Sequence, residues 1–136
     1  FFFVFLFFFL VMLFSFGFDF VDLARIERLI KRYGERFGRR VLSLEELTAW
    51  HISKCSPAFL AKRFAAKEAV AKALGTGIGS GVGFQNIIIR HEANGAPAAS
   101  LDLGAAKAMR NLGASRVLLS ISDERSYAIA FAMLSN

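Results

Sequence analysis

Two periods alternate along the chain once its apolar start is passed. Residues 14–21 are apolar except for Ser15, Gly17 and Asp19, which predicts a strand carrying one buried acid. Residues 23–33 change to a helical period, with Leu23, Ile26, Leu29, Ile30 and Tyr33 facing inward. Asp22 is placed to N-cap this helix and Gly34 to stop it. Ser43-Leu44-Glu45-Glu46 is a capping box that opens a helix to about Lys54, with Leu47 and Trp50 inward. Ser56 and Pro57 start a third helix, which runs through Leu74 and ends at Gly75.

Residues 75–83 carry glycine at every second position and read as a loop. Residues 84–91 and 98–103 predict two strands joined by an Asn94-Gly95 turn. Residues 105–112 predict a helix stopped by Gly113. Residues 115–122 and 126–134 predict strands around Asp123-Glu124-Arg125. The order β-ααα-ββ-α-ββ implies an α+β fold, mainly antiparallel sheet with packed helices.

The apolar start is a separate matter. Residues 1–18 carry no charge, and eleven of the 16 Phe fall in the first 20 residues. The run is just long enough to span a bilayer. It lacks the basic n-region and cleavage site of a signal peptide, and Asp19 rather than a cation follows it. Phe-rich low complexity also matches translated T-rich DNA ahead of a gene, and Met12 is the first methionine. The expectation is an extension over 1–11 upstream of a natural start, and a single domain over 12–136. A membrane anchor over 1–18 is the alternative.

Length and composition narrow the rest. A chain of 136 residues fits one domain. The single cysteine, Cys55, excludes an internal disulfide and fits a reducing compartment, so a cytoplasmic location is expected. The net charge is +6, and residues 19–72 hold 12 Lys and Arg against 7 Asp and Glu. An anionic partner should therefore meet the first half. Arg25, Arg28, Arg32 and Arg36 fall at helical spacing and form a stripe suited to an acidic protein or nucleic acid. No aromatic residues interleave with them, so base stacking has little support.

The third helix holds the densest chemistry. Ala61, Ala65, Glu68 and Lys72 share one face, and four cations lie between Lys62 and Lys72. Such a lining suits a polyanion held partly through a metal; the alternative is an ordinary solvated Glu68–Lys72 pair. Asp19 in an apolar strand is costly unless paired or metal-bound. Asp19 and Glu68 could together supply oxygen ligands to Mg²⁺, which takes one or two carboxylates alongside water and phosphate. The glycine loop is no Walker loop, yet its backbone amides could bind phosphate. His51 and His91 are isolated and read as surface or structural residues. No Ser/His/Asp or Cys/His nucleophile set is present.

Three stretches bear a family likeness. They are Gly17-Phe18-Asp19-Phe20-Val21-Asp22-Leu23 with Arg25-Ile26, the run from Phe59 to Gly77, and Ser120-Ile121-Ser122-Asp123-Glu124 with Tyr127-Ala128. In these the chain resembles the holo-[acyl-carrier-protein] synthase family of the 4′-phosphopantetheinyl transferase superfamily, in its short trimeric form. The likeness spans about residues 12–134. Counted from Met12, Asp19 is eighth, close to where the family's acid follows the start.

The resemblance implies transfer of 4′-phosphopantetheine from coenzyme A to a serine of apo-acyl carrier protein, as in fatty acid biosynthesis. It implies Asp19 and Glu68 as Mg²⁺ ligands. Glu68 and Lys72 are the expected catalytic groups, and since the serine needs a base, Glu68 is expected to serve, directly or through a metal-bound water. Lys72, Gly75, Thr76 and Gly77 would meet coenzyme A phosphates, with Arg63 a weaker candidate. Arg25, Arg28 and Arg32 would dock the acidic carrier. A homotrimer with sites between subunits is implied too. Phe18 and Phe20 replace smaller residues usual beside the acid, Ala96 replaces a frequent Lys, and Asp123 stands where some members carry His. A basic nucleic-acid-binding domain and a membrane-anchored interaction module are the alternative functions.

Overall fold

A computed structural model describes residues 15–136. The extension over 1–11, the start at Met12 and the anchor over 1–18 involve positions outside the described residues. Asp22 closes strand β1 (Ser15–Asp22) and opens helix α1 (Leu23–Tyr33). Its carboxylate accepts from the Ala24 amide at 2.9 Å, so capping falls to Asp22 and leaves Asp19 free for another role. Ile26 is buried as expected, but Tyr33 is exposed at the helix end.

Gly34 does not lead into a loop. Its amide closes α1 on the Ile30 carbonyl at 2.7 Å, and a second helix, α2 (Glu35–Val41), begins at once. The sequence reading missed α2 because seven residues give almost no periodic signal. Tertiary packing holds it. Gly38 lies flush on the indole of Trp50, where an added Cβ would sit 2.3 Å from a ring carbon, and Val41 is fully buried. The break also takes Arg36 off the α1 stripe, which ends at Arg32.

Helix α3 (Leu44–Ile52) has the expected capping box: Ser43 Oγ accepts from the Glu46 amide, and Glu46 Oε1 accepts from the Ser43 amide. It ends two residues earlier than expected, because Lys54 and Cys55 adopt left-handed backbone, φ 58° and 55°. Helix α4 (Pro57–Ala73) starts with Ser56 accepting from the Phe59 amide at 3.2 Å. A 3₁₀ turn occupies Phe84–Asn86, where a strand was expected; pairing begins only at β2 (Ile87–His91), which runs antiparallel to β3 (Pro97–Leu101). Helix α5 (Leu103–Asn111) then leads to β4 (Arg116–Asp123) and β5 (Tyr127–Ser135).

The main sheet has the order β1-β5-β4, all antiparallel, so the last strand lies at its centre. Alternation divides its faces. Gly17, Val21, Ala128, Ala130, Ala132 and Leu134 are buried against the helices. The other face carries Phe16, Phe18, Phe20, Tyr127 and Phe131, all exposed. Helix α4 lies across the inner face. From Leu60 onward only Lys62, Glu68 and Lys72 reach solvent, which is how a central helix should look.

Small side chains set the distance between helix and sheet. An added Cβ at Gly17 would lie 2.0 Å from the Ala69 carbonyl oxygen and 2.6 Å from the Ala73 amide nitrogen. Strand β1 can therefore touch α4 backbone to backbone. No helix among the described residues is long and apolar enough to cross a membrane. Gly17→Ala should force β1 off α4 and cost at least about 1–3 kcal/mol, as overpacking usually does. Thermal unfolding checks this, and an unchanged midpoint would contradict the contact.

Candidate active site

The close approach at Gly17 decides what Asp19 meets. Two residues on, Asp19 points to the same inner face, and Lys72 is one turn from Ala69 on α4. Lys72 Nζ donates to Asp19 Oδ1 at 2.8 Å and to the Phe18 carbonyl at 3.1 Å. The Asp19 side chain is only 14% exposed while that of Lys72 is 50% exposed. The expected buried acid is thus paired, and its partner is the cation that could otherwise have bridged to Glu68. Among the described residues Glu68 makes no ion pair, so the plain Glu68–Lys72 surface pair does not form.

Glu68 is half-buried beside this pair. Burial pushes its carboxyl above the usual range, and the Asp19 carboxylate pushes the same way. Lys72 and Arg25 oppose the shift. Two acids and one ammonium therefore sense one another across the β1–α4 seam. Among the described residues no cluster of three or more His, Cys, Asp or Glu is present. A two-carboxylate donor set, all hard oxygen, still fits Mg²⁺, which keeps waters and takes phosphate oxygens for the rest.

Arg25, Arg28 and Arg32 are all exposed on α1. Arg25 turns over the Phe64 ring, 5.7 Å from its centroid, which brings it towards Glu68. Arg32 lies over Tyr33 at 5.2 Å. Immediately past α4, Gly75, Thr76 and Gly77 form the expected turn. The Thr76 and Gly77 amides bond back to the Ala71 carbonyl, at 3.3 and 3.0 Å, so they cap the helix rather than face outward.

Not all the cations of α4 line an open groove, and the alanines leave none. Ala61 and Ala65 are fully buried under the sheet and helices. Lys67 is fully buried, donating to Glu46 Oε1 and the Val41 carbonyl, each at 2.7 Å. It falls in the apolar stripe Leu60, Phe64, Ala71 and Leu74, a placement that could have revealed it in the sequence. Arg63 is 7% exposed and lies roughly 140° around the helix from Glu68, so the two do not share a face. Arg63 opens instead on a recess of about 150 Å³ lined by Phe59, Lys62, His91, Gly95, Pro97, Ile121 and Asp123. Burial, Arg63 and Lys62 all push the His91 imidazole below its ordinary range. His91, read as isolated, thus joins a basic recess that strand pairing assembles from distant sequence.

Asp19→Asn should lower the Glu68 pKa, because a negative neighbour is lost. Lys72→Met should raise it, because a positive one is lost. Carbon-13 NMR titration of the Glu68 carboxyl measures both. Two variants that leave it unmoved would show that these groups do not form one site.

Comparison with known proteins adds to this geometry. Residues 15–132 match the 4′-phosphopantetheinyl transferase superfamily. A holo-[acyl-carrier-protein] synthase of Shewanella frigidimarina is 49% identical over 120 residues, covering 88% of this chain and 95% of that protein. The crystal structure of holo-[acyl-carrier-protein] synthase from Neisseria meningitidis is 44% identical. It has a TM-score of 0.85 and covers 92% of this chain and 100% of that one. The Helicobacter pylori enzyme, solved in complex with coenzyme A, is 34% identical with a TM-score of 0.78, covering 88% and 99%.

Proposed function

The chain belongs to the 4′-phosphopantetheinyl transferase superfamily, and we propose that it acts as a holo-[acyl-carrier-protein] synthase of fatty acid biosynthesis. It transfers 4′-phosphopantetheine from coenzyme A to a serine of apo-acyl carrier protein and releases adenosine 3′,5′-bisphosphate. One observation carries the assignment of the site: the seam where Asp19, Glu68 and Lys72 meet on the inner edge of β1 and α4.

The serine oxygen forms a bond to the β-phosphorus of coenzyme A, and the bridging P–O bond to the nucleotide breaks. Glu68, half-buried at the seam, accepts the serine proton as general base. Lys72, with an exposed ammonium anchored on Asp19 and the Phe18 carbonyl, faces the charge that gathers on the departing diphosphate oxygen. Asp19 and Glu68 would hold Mg²⁺, which when bound supplies charge neutralisation on the diphosphate. The Gly75-Thr76-Gly77 turn flanks the same end of α4. Its amides are spent on capping, so its part is to let phosphate approach rather than to bind it through those groups.

The basic recess at Arg63 gives coenzyme A a second anchor for phosphate. Arg25, Arg28 and Arg32 form the carrier-docking face, with Arg25 nearest the reacting groups. An acidic carrier would be steered there by complementary charge. A homotrimer with its sites between subunits accounts for the aromatic outer face of the sheet. Phe16 stacks on Phe131 at 5.9 Å and Phe20 tilts against Tyr127 at 4.6 Å, yet these rings are exposed in one copy. Patches of this kind mark association surfaces. The free Cys55 supports a cytoplasmic location.

Glu68→Gln should abolish most release of adenosine 3′,5′-bisphosphate while leaving the circular dichroism spectrum unchanged; retained turnover would remove Glu68 from the mechanism. Reversing Arg25 and Arg28 to Glu should raise the apparent KM for carrier protein with little change in kcat. An unchanged KM would move docking elsewhere. Phe18→Asp should break the trimer in analytical ultracentrifugation, and an unaltered mass would contradict association through that face.

A further inference from the structure

Three charged side chains lie inside the protein where apolar ones would pack as well. Glu46 is 2% exposed, Lys67 0% and Arg63 7%. Replacing buried ion pairs by apolar residues of similar volume is often neutral or stabilising, so the cluster needs a reason other than stability. One carboxylate also serves two cations, and it does so unequally.

Glu46 Oε1 is fully used. It accepts from Lys67 Nζ at 2.7 Å and from the Ser43 amide at 3.2 Å, the second bond closing the capping box of α3. Glu46 Oε2 has no hydrogen-bond partner and faces Arg63 Nε at 3.7 Å. Arg63 Nε is likewise buried and unpartnered. The separation is too long for a hydrogen bond but short enough for strong ionic attraction at a buried site. The guanidinium is also held from its face, 4.8 Å over the Phe59 ring. With the Nε edge turned to Glu46 and one face on Phe59, the terminal nitrogens remain for the recess that Arg63, Phe59 and Lys62 line.

We propose that Glu46, locked by Lys67 and by the cap of α3, is a positioning residue that fixes Arg63 to hold a phosphate group of coenzyme A. The proposal rests on the reading that this recess binds coenzyme A. Glu46 touches no ligand. It orders the long Arg63 side chain before binding, so that less conformational entropy is lost when phosphate arrives. Lys67 keeps the carboxylate aimed, and Asp123, the one acid of the recess, lies on β4 outside this network.

The test is calorimetric binding of coenzyme A and of dephospho-coenzyme A, with steady-state kinetics beside it. The main variant is Glu46→Gln with Lys67→Met, which removes both buried charges together and keeps a capping-box residue at position 46. It should bind coenzyme A about tenfold more weakly, with kcat nearly unchanged, the range expected for losing control of one charged hydrogen bond. Adding Arg63→Gln to it should weaken binding no further than Arg63→Gln alone, since Glu46 acts through Arg63. Lys67→Met alone leaves Glu46 paired with Arg63 and should bind more tightly than the double variant. Glu46→Asp, which shortens the arm by one methylene and keeps the Lys67 pair, should weaken binding in the same sense if the double variant fails to fold. Weaker binding of coenzyme A alone assigns its 3′-phosphate to Arg63; weaker binding of both ligands assigns the diphosphate. If Arg63→Gln weakens binding but the double variant and Glu46→Asp do not, the positioning role is overturned. If Arg63→Gln itself changes nothing, the coenzyme A assignment of the recess fails first.

Discussion

The contact between Gly17 and the backbone of α4 is the constraint on which the rest depends. A strand and a helix normally keep a side chain's width apart. Here the missing Cβ at Gly17, with the alanines of β5 behind it, lets β1 settle onto Ala69 and Ala73. That proximity brings Asp19 within 2.8 Å of Lys72 and close enough to Glu68 to add to the upward pKa shift that burial causes. The polar groups are then satisfied by one another, which makes an acid in an apolar strand affordable. The alternation of β1 sends Phe16, Phe18 and Phe20 to the other side in the same stroke.

Helix α4 divides its charges between two tasks. Glu68 and Lys72 lie on the side that meets β1 and solvent. Lys67 and Arg63 are sunk against α3, where Glu46 answers both. The four cations that look alike in sequence therefore separate: Lys72 pairs with Asp19, Lys67 forms a buried brace, and Lys62 and Arg63 line the recess. Lys67 in water would be an ordinary surface charge. In the interior, burial pushes its pKa down while the Glu46 carboxylate opposes the shift. Family membership replaces the nucleic-acid-binding alternative, and the proposed function gives the basic first half of the chain coenzyme A and an acidic carrier to meet instead.

What the sequence made legible was local and periodic. Asp22, Ser43 and Ser56 cap the helices they were expected to cap, because a cap needs only neighbours in the chain. The strands were placed within a residue or two except at residues 84–86, where a 3₁₀ turn precedes pairing. Helix α2 was invisible because its stability comes from Gly38 lying on Trp50, a contact across twelve residues. Asp19, Glu68 and Lys72 were found as a set, although their pairing differs from the i,i+4 bridge that spacing suggests. The Arg63 recess and the Glu46–Lys67 brace were missed as assemblies. Each joins residues from α3, α4 and the later strands, and only the fold brings them together.

The most direct check of the whole account is intact-mass spectrometry of an apo-acyl carrier protein incubated with this chain, coenzyme A and Mg²⁺. The account predicts a mass gain of one phosphopantetheine, located on a serine by fragmentation, and none when Asp19→Asn replaces the parent chain. A carrier that stays unmodified with the parent chain, or is modified equally well by Asp19→Asn, would contradict it.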